Sequence, residues 1–410
     1  TTFRDDLDFT LTRYRKNRYF KAGALAAGLE QARGELVAIF DADFVPTPDF
    51  LLQTVPHFVE EPRLGLAQAR WGHLNRRRSL LTRAQAIGID GHFMVEQSAR
   101  TWNGLFMNFN GTAGMWRREA IEEGGGWQWD TLTEDMDLSY RVQLAGWGTA
   151  YLPDLVVPAE IPEDVSAFKS QQFRWAKGSI QTAKKLLPRV LRAPEPLFKK
   201  AQAFFHLTHY MVHPLMLTLA LLALPVLLTL RYTPGPVLFT VLAVCLALAM
   251  AAPSALYVVS QRAAHRDWYR RLVILPALVA VGVGVAVSNS RAVLEALLGM
   301  ESGFVRTPKR GDREVKRYRV RLPGLAVLEV LLGLYCTLSL TFYLAEQKYF
   351  VGPFLAVYAA GFLFVGMLTV AHSLGMTGRR LFAAPADECA QRGEIVAPAA
   401  SAAGAANTRS

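Results

Sequence analysis

Four short stretches of this chain carry side chains that could do chemistry. Asp41-Ala42-Asp43 sets two carboxylates two positions apart, directly after the apolar run Leu36-Val-Ala-Ile-Phe40. At a strand end such a pair can approach one cation through a sharp turn, and oxygen-only ligands suit Mg2+ or Mn2+, ions that commonly bridge to phosphates. A merely polar turn would look the same. Thr133-Glu134-Asp135-Met136-Asp137 crowds three carboxylates into four residues. Acidic side chains favour the first turn of a helix, where the dipole and unpaired N–H groups attract negative charge, and Thr131 with Glu134 fits a capping box. Phe109-Asn-Gly-Thr-Ala-Gly114 is punctuated by glycine, which suits either close approach of backbone to a ligand or a bulged strand. Gln171-Gln-Phe-Arg174-Trp175 sits in a basic amphipathic segment. Its guanidinium suits a phosphate and its indole the apolar face of a sugar ring, while the same composition suits a membrane surface.

The elements that must position these residues follow from periodicity. Asp5, Asp6 and Asp8 follow no apolar strand and read as a solvated charge run. The spacing predicts a short helix from Lys21 to Glu30 and a buried strand over Leu36–Phe40. A second helix should open at Thr47-Pro48-Asp49, with Thr as cap and Pro at its first position. Leu64–Arg70 reads as a strand and Ser79–Arg100 as mostly helix. The acidic helix should end near Gly146 as its C′ glycine, and a strand over Thr149–Leu152 should stop at Pro153. Strands alternating with helices predict an α/β sheet, and carboxylates at a strand's C-terminal end stand where such sheets place ligands.

The second half of the chain is different. Of 410 residues 51% are hydrophobic, and from about Phe204 they gather into long blocks separated by basic loops. A spanning helix needs about 20 apolar residues, and five segments qualify: about 206–230, 237–259, 272–288, 322–345 and 349–378. The net charge of +11 sits largely beside these blocks, which fits the positive-inside rule better than nucleic-acid binding. If all five crossed, the loop 306–321, with eight Lys and Arg against Asp312 and Glu314, would face outside. The third block is short and holds Gly282, Gly284, Ser288 and Asn289, so it is expected to lie along or re-enter the membrane, leaving four crossings. Glu329 is nearly the only charge within these blocks. His206, His209 and His213 share a helix face and read as packed or interfacial. Cys245, Cys336 and Cys389 are too far apart for a zinc or disulfide framework. The Ala-rich stretch 381–410 reads as a disordered tail.

In this order, Asp41-x-Asp43, Thr133-Glu134-Asp135 and Gln171-x-x-Arg174-Trp175 ahead of a multi-helix membrane region resemble the cellulose-synthase-like branch of family 2 inverting glycosyltransferases. Lys21-Ala-Gly-Ala-Leu, Phe109-Asn-Gly-Thr-Ala-Gly and Ser302-Gly-Phe-Val-Arg-Thr-Pro-Lys309 are similar in detail to bacterial relatives of the glucomannan (β-1,4-mannan) synthases. The resemblance covers roughly residues 15–375. It implies an α/β GT-A catalytic domain, nucleotide-sugar-binding and Rossmann-like, over residues 1–200, and an α-helical transmembrane domain over 201–380 with a cytosolic gating-type loop at about 300–321.

It further implies transfer of a hexose from a UDP- or GDP-sugar to a growing β-glycan. The alternative is a single transfer to a lipid acceptor, as in ceramide glucosyltransferase-like relatives. By resemblance, Asp135 is the general base. Asp41 and Asp43 hold Mg2+ or Mn2+, and Lys21, Asp41, Gln171 and Arg174 meet the diphosphate. Phe109, Asn110, Gly111, Thr112, Glu134 and Trp175 form the acceptor site. The implied setting is the plasma (inner) membrane with a cytosolic catalytic domain; nucleic acid is no partner, and protein partners are not implied. The family carries an upstream βαβ unit with a nucleobase-binding Asp, preceded by membrane helices. The chain starts at Thr1 within a charged segment, so it reads as a fragment without that unit.

Overall fold

The computed structural model describes residues 20–229, 235–301 and 324–373. Asp5, Asp6, Asp8, the Phe304–Lys309 segment, the basic loop 306–321, Cys389 and the Ala-rich tail lie outside the described residues. The first half runs α1 (Phe20–Gln31), β1 (Leu36–Ile39), α2 (Phe50–Glu60), β2 (Leu64–His73) and α3 (Leu80–Gly91). A π-helical turn (His92–Gln97) then leads into α4 (Ser98–Trp102), β3 (Gly114–Arg117) and α5 (Arg118–Glu123). α6 (Glu134–Leu144), β4 (Gly148–Ala159) and the long α7 (Val165–Arg192) complete it.

The four strands form one mixed sheet in the order β1-β3-β2-β4. β3 is antiparallel to both β1 and β2, while β2 and β4 are parallel. Side chains alternate across it as a two-residue period requires. The paired Leu66 and Trp116 face one apolar cluster with Phe109, Leu138 and Val142, and the paired Ala67 and Met115 face another with Phe50, Phe58 and Val157. Both sides of the sheet are therefore covered, the arrangement expected where helices alternate with strands. β4 does not stop at Pro153. Its register slips between the Ala69–Leu152 and Arg70–Val156 pairs, so Pro153 falls in a bulge, where a residue without an N–H donor costs no ladder bond.

Several helix ends also differ from expectation. α6 starts at Glu134 with Thr133 as its cap residue, and no side chain caps it. The Thr131–Glu134 capping box is absent, because the helix opens at Glu134, which is its first residue and not the third after a Thr131 cap; Thr133 Oγ1 lies 3.1 Å from Thr182 Oγ1 on α7. α2 begins at Phe50 with Asp49, not Thr47, at the cap. The true capping box is Ser79 with Thr82 on α3, through bonds of 2.9 and 3.1 Å. Gly146, at φ +88° just past α6, takes the left-handed turn expected of a C′ glycine.

The second half comprises α8 (Leu197–Thr208), α9 (Val212–Thr229), α10 (Pro236–Ala264), α11 (Trp268–Arg271), α12 (Leu275–Gly284), α13 (Ala286–Leu297), α14 (Gly324–Ala345) and α15 (Gly352–Ser373). Among the described residues four helical stretches are long and apolar enough to cross a membrane, 197–229, 236–264, 324–345 and 349–373, or five if a bent pair counts as one span. The third apolar block forms that pair, 268–284 and 286–297, bent by 40° at its break, a shape shared by a broken span and a re-entrant loop. Gly284 and Gly361 let α12 and α15 touch backbone to side chain; a Cβ on either would meet Val365 or Val283 well inside contact distance.

Candidate active site

The sheet order brings the end of β1 beside the start of β3, because these strands run antiparallel. Asp41 N–H donates to Thr112 Oγ1 at 2.8 Å, and Ala113 N–H to Ile39 O at 2.8 Å. Asp41–Phe44 then closes as a tight turn through Phe44 N–H to Asp41 O at 2.9 Å. Lys21 reaches into this corner from α1, 2.6 Å from Asp41 Oδ1 and 2.7 Å from the carbonyl of Gly111. Gly111 has φ +81°, and a Cβ there would lie 2.9 Å from Asp135 Oδ2. Glycine is thus required twice over, for backbone conformation and for room beside the carboxylate.

Asp135 stands in the first turn of α6, whose N-terminus points at this edge of the sheet. Its Oδ1 accepts from Met136 N–H at 2.8 Å. α6 is tied to the same loop from below: Ser139 Oγ accepts from Phe109 N–H at 2.8 Å, and Gln143 bonds both Met107 N–H and O. Asp135 keeps a small exposed area, but at the bottom of a concavity that area faces little bulk water. Burial first, then the negative Glu134 beside it, raises its pKa to about 7. Burial also raises Glu134, against the opposing field of Lys21. Asp137 has another environment altogether. It is fully buried, paired with Arg141 at 2.7 Å and with Lys185 at 2.9 Å, so it ties α6 to α7.

α7 crosses in front of this corner. Gly178 permits the approach, since a Cβ there would meet the Thr133 side chain at 2.5 Å. Gln171 and Trp175, one turn apart, line a cavity of about 410 Å3 together with Asp135 and Asn110. Arg174 stands one residue earlier, close enough to Glu134 and Asp41 for their charges to oppose the burial that lowers its pKa. Lys21, Asp41, Glu134, Asp135 and Arg174 therefore form one electrostatic group. Phe109 and Thr112 are 1% exposed and stand beneath the cavity rather than in its wall. Phe109 packs edge-on against Trp116. Of that loop, Asn108 and Asn110 reach the cavity.

The same cavity continues past Asp135 to His206, His209 and His213, then to Tyr257 of α10 and Val281 of α12. The three histidines line it, with His206 Nδ1 2.7 Å from Tyr140 OH and His213 Nε2 2.9 Å from Asn289 Nδ2. Among the described residues no group of three or more His, Cys, Asp or Glu could hold a metal alone. The turn at Asp41 and Asp43 still fits a divalent ion that shares a substrate's diphosphate. Such an ion takes one or two carboxylates and fills its remaining positions with phosphate and water oxygens, and the Asp41 side chain is 42% exposed.

Some supporting residues escape sequence reasoning. Gln68, central in β2 and fully buried, donates to the carbonyls of Thr112 and Ala113 at 3.1 and 3.0 Å and accepts from Asn110 N–H at 2.9 Å. A glutamine within an otherwise apolar buried strand was the available signal. The π-helical turn gave none, since its sequence reads as ordinary helix.

A mixed sheet with carboxylates just past the end of β1, joined to several long apolar helices, defines a GT-A-like glycosyltransferase fold with a membrane-type helical region. The chain belongs to glycosyl transferase family group 2, whose family model matches residues 36–255. It is 48% identical over 185 residues to a probable glucomannan 4-beta-mannosyltransferase 7 of Oryza sativa, covering 44% of this chain and 32% of that protein. It is 42% identical over 207 residues to glucomannan 4-beta-mannosyltransferase 1 of Cyamopsis tetragonoloba, covering 48% of this chain and 39% of that protein. The matched part thus spans 32% to 39% of these relatives' length. A solved mannosyltransferase of Pyrobaculum calidifontis, in complex with GDP-Man and Mn2+, aligns at TM-score 0.43 and 18% identity over 69% of this chain and 68% of that one. That similarity is too distant to carry detail across.

Proposed function

We propose that this chain is the catalytic and membrane core of an inverting hexosyltransferase that adds mannose from a nucleoside-diphosphate sugar to the end of a growing β-1,4-glycan. One observation carries the reading. A half-buried carboxylate, Asp135, with its pKa raised to about 7, stands between a cationic corner and a cavity that runs on into the apolar helices. The names of the relatives supply the sugar and the linkage.

In the proposed reaction an acceptor hydroxyl attacks the anomeric carbon while the nucleoside diphosphate leaves from the opposite face. Asp135 takes the hydroxyl proton as the new C–O bond forms, and a base with pKa near the working pH is suited to that transfer. Negative charge builds on the leaving diphosphate, and Lys21 and Arg174 are the side chains able to stabilise it. Asp41 and Asp43 would hold a divalent ion, which would neutralise further charge there. Trp175 offers its ring to the terminal acceptor sugar. A cavity continuing toward Tyr257 and Val281 gives the lengthened chain a way onward between the apolar helices. On this reading residues 1–200 are the catalytic unit at the cytosolic face of the plasma (inner) membrane, and 201–380 the membrane unit.

The test is product analysis. Membranes carrying the protein, given GDP-mannose or UDP-glucose, should release nucleoside diphosphate with GDP-mannose and build a product that lengthens with time and is cut by an endo-β-1,4-mannanase. A product of one sugar per lipid would overturn polymer synthesis in favour of glycolipid synthesis.

A further inference from the structure

Beyond Asn110 the cavity meets a polar cluster that the transfer chemistry does not use. It is built on the π-helical turn His92–Gln97 between α3 and α4, an insertion that widens a helix and recurs at functional sites. The hydrogen bonds fix its orientation step by step. The carbonyl of Asn108 can only accept, so the group 2.8 Å from it is the Gln97 Nε2 amide, which also donates to Asn110 Oδ1 at 2.6 Å. That leaves Asn110 Nδ2 facing His92 Nε2 at 2.9 Å, which must accept. The His92 proton therefore sits on Nδ1 and is donated to Glu96 Oε2 at 2.9 Å. Glu96 Oε1 takes the Nε and Nη2 of Arg100, each at 3.0 Å.

The outcome is a carboxylate held from two sides yet still open. The Glu96 side chain is 36% exposed, and both Glu96 and His92 line the cavity. Burial opposes its charge, but the hydrogen bond from His92 and the field of Arg100 hold it well below the usual carboxylate range. Trp175 and Tyr210 line the same space. An oriented carboxylate with spare lone pairs beside aromatic faces matches the needs of a pyranose ring, which presents hydroxyls at its edge and C–H groups on its faces.

We infer that Glu96, oriented by His92 and Arg100, binds the hydroxyls of the acceptor sugar next to the terminal one, forming a second sugar subsite between Asp135 and the apolar helices. This rests on the proposed mannosyl transfer and deepens it, because such a subsite favours an acceptor that is already a chain. Asn110 couples the two subsites through its bond to His92.

The test compares two acceptors, methyl β-mannoside and β-1,4-mannotriose, in membranes carrying wild-type protein, Glu96→Gln or His92→Phe with GDP-mannose. Glu96→Gln keeps the shape and removes the charge, so the preference for the trisaccharide, as the ratio of the two kcat/KM values, should fall about tenfold, mainly through the trisaccharide KM. His92→Phe keeps a ring and removes the orienting N–H, and the ratio should fall about threefold. It carries the test should Glu96→Gln lose nucleotide-sugar binding and so its fold. A ratio unchanged in the folded variants, with wild-type protein active, overturns the subsite alone. Wild-type protein that transfers to neither acceptor overturns the transfer reading, and this inference with it.

Discussion

At the scale of residues, Asp135 and Asp43 should separate cleanly. Asp135→Asn keeps the volume of the side chain but removes the base, so transfer should fall by at least about a hundredfold with nucleotide-sugar binding retained. Asp43→Asn should instead weaken binding of the nucleotide sugar in the presence of Mg2+ or Mn2+, which titration calorimetry would detect. The raised pKa of Asp135 also sets a pH profile. The base works ionised, so kcat/KM should climb by about tenfold per pH unit on the acid side and level off above about 7. Stability runs the other way. A carboxylate whose folded pKa exceeds its unfolded one favours the fold at low pH, and that contribution fades as pH rises through about 7. Asp135→Asn should therefore raise the Tm at pH 8 while abolishing activity, and a lowered Tm there would overturn the environment described. Gly111→Ala places a Cβ against Asp135 Oδ2 and strains a φ of +81°. It should cost about 1–2 kcal/mol and most of the activity, and chemical denaturation and rate measurements can be compared on the same preparation.

At the scale of elements, α7 is the piece whose role was least legible. Its composition allowed either a membrane-surface helix or an anion-and-sugar site. In the fold it is neither free nor superficial, because two of its cations are internal ion pairs on either side of the Gln171–Trp175 stretch. Lys169 meets Glu329 of α14 at 2.5 Å, and Lys177 meets Glu295 of α13 at 2.9 Å. A one-dimensional pattern shows the alternation of charge and apolar residue but not the partner, which here comes from 160 residues away. The same limit explains β4, whose passage through Pro153 depends on a bulge defined by β2, and Thr133, whose hydroxyl prefers a partner on α7. By contrast, strands β1 and β2, the C′ glycine and the approximate sites of the acidic residues were legible, because local periodicity and turn chemistry decide them. Glu329 is fully buried, and Lys169 is its ion-pair partner among the described residues. Lys169→Met should thus destabilise by about 3–5 kcal/mol through the stranded charge, and Lys169→Met with Glu329→Gln should recover most of it. Thermal unfolding in detergent would show this, and a double variant no better than the single would rule out the clamp.

At the scale of the whole molecule, the bent pair α11–α12 and α13 decides how the chain lies in a membrane. Its two ends meet the same part of the protein. Just before it, His265 Nε2 lies 3.0 Å from the buried Asp90 of α3, which His73 of β2 approaches at 3.1 Å from the other side. At its far end the carbonyls of Ala296 and Leu297 accept from Lys184 of α7 at 3.1 and 2.9 Å. A segment that leaves from α3 and returns to α7 starts and finishes against the first half of the chain, which favours a re-entrant pair over a fifth crossing. The end of α15 agrees, with His372 Nδ1 3.0 Å from Asp164 at the start of α7. On the re-entrant reading, the short link between α14 and α15 faces away from the catalytic unit. With Cys245, Cys336 and Cys389 replaced by Ala, a single cysteine at Gln347 should react with an impermeant thiol reagent only from outside the cell, and one at Asp267 only after the membrane is opened. A fifth crossing would reverse the first result while leaving the second intact, so the pair of labels distinguishes re-entry from passage in one experiment.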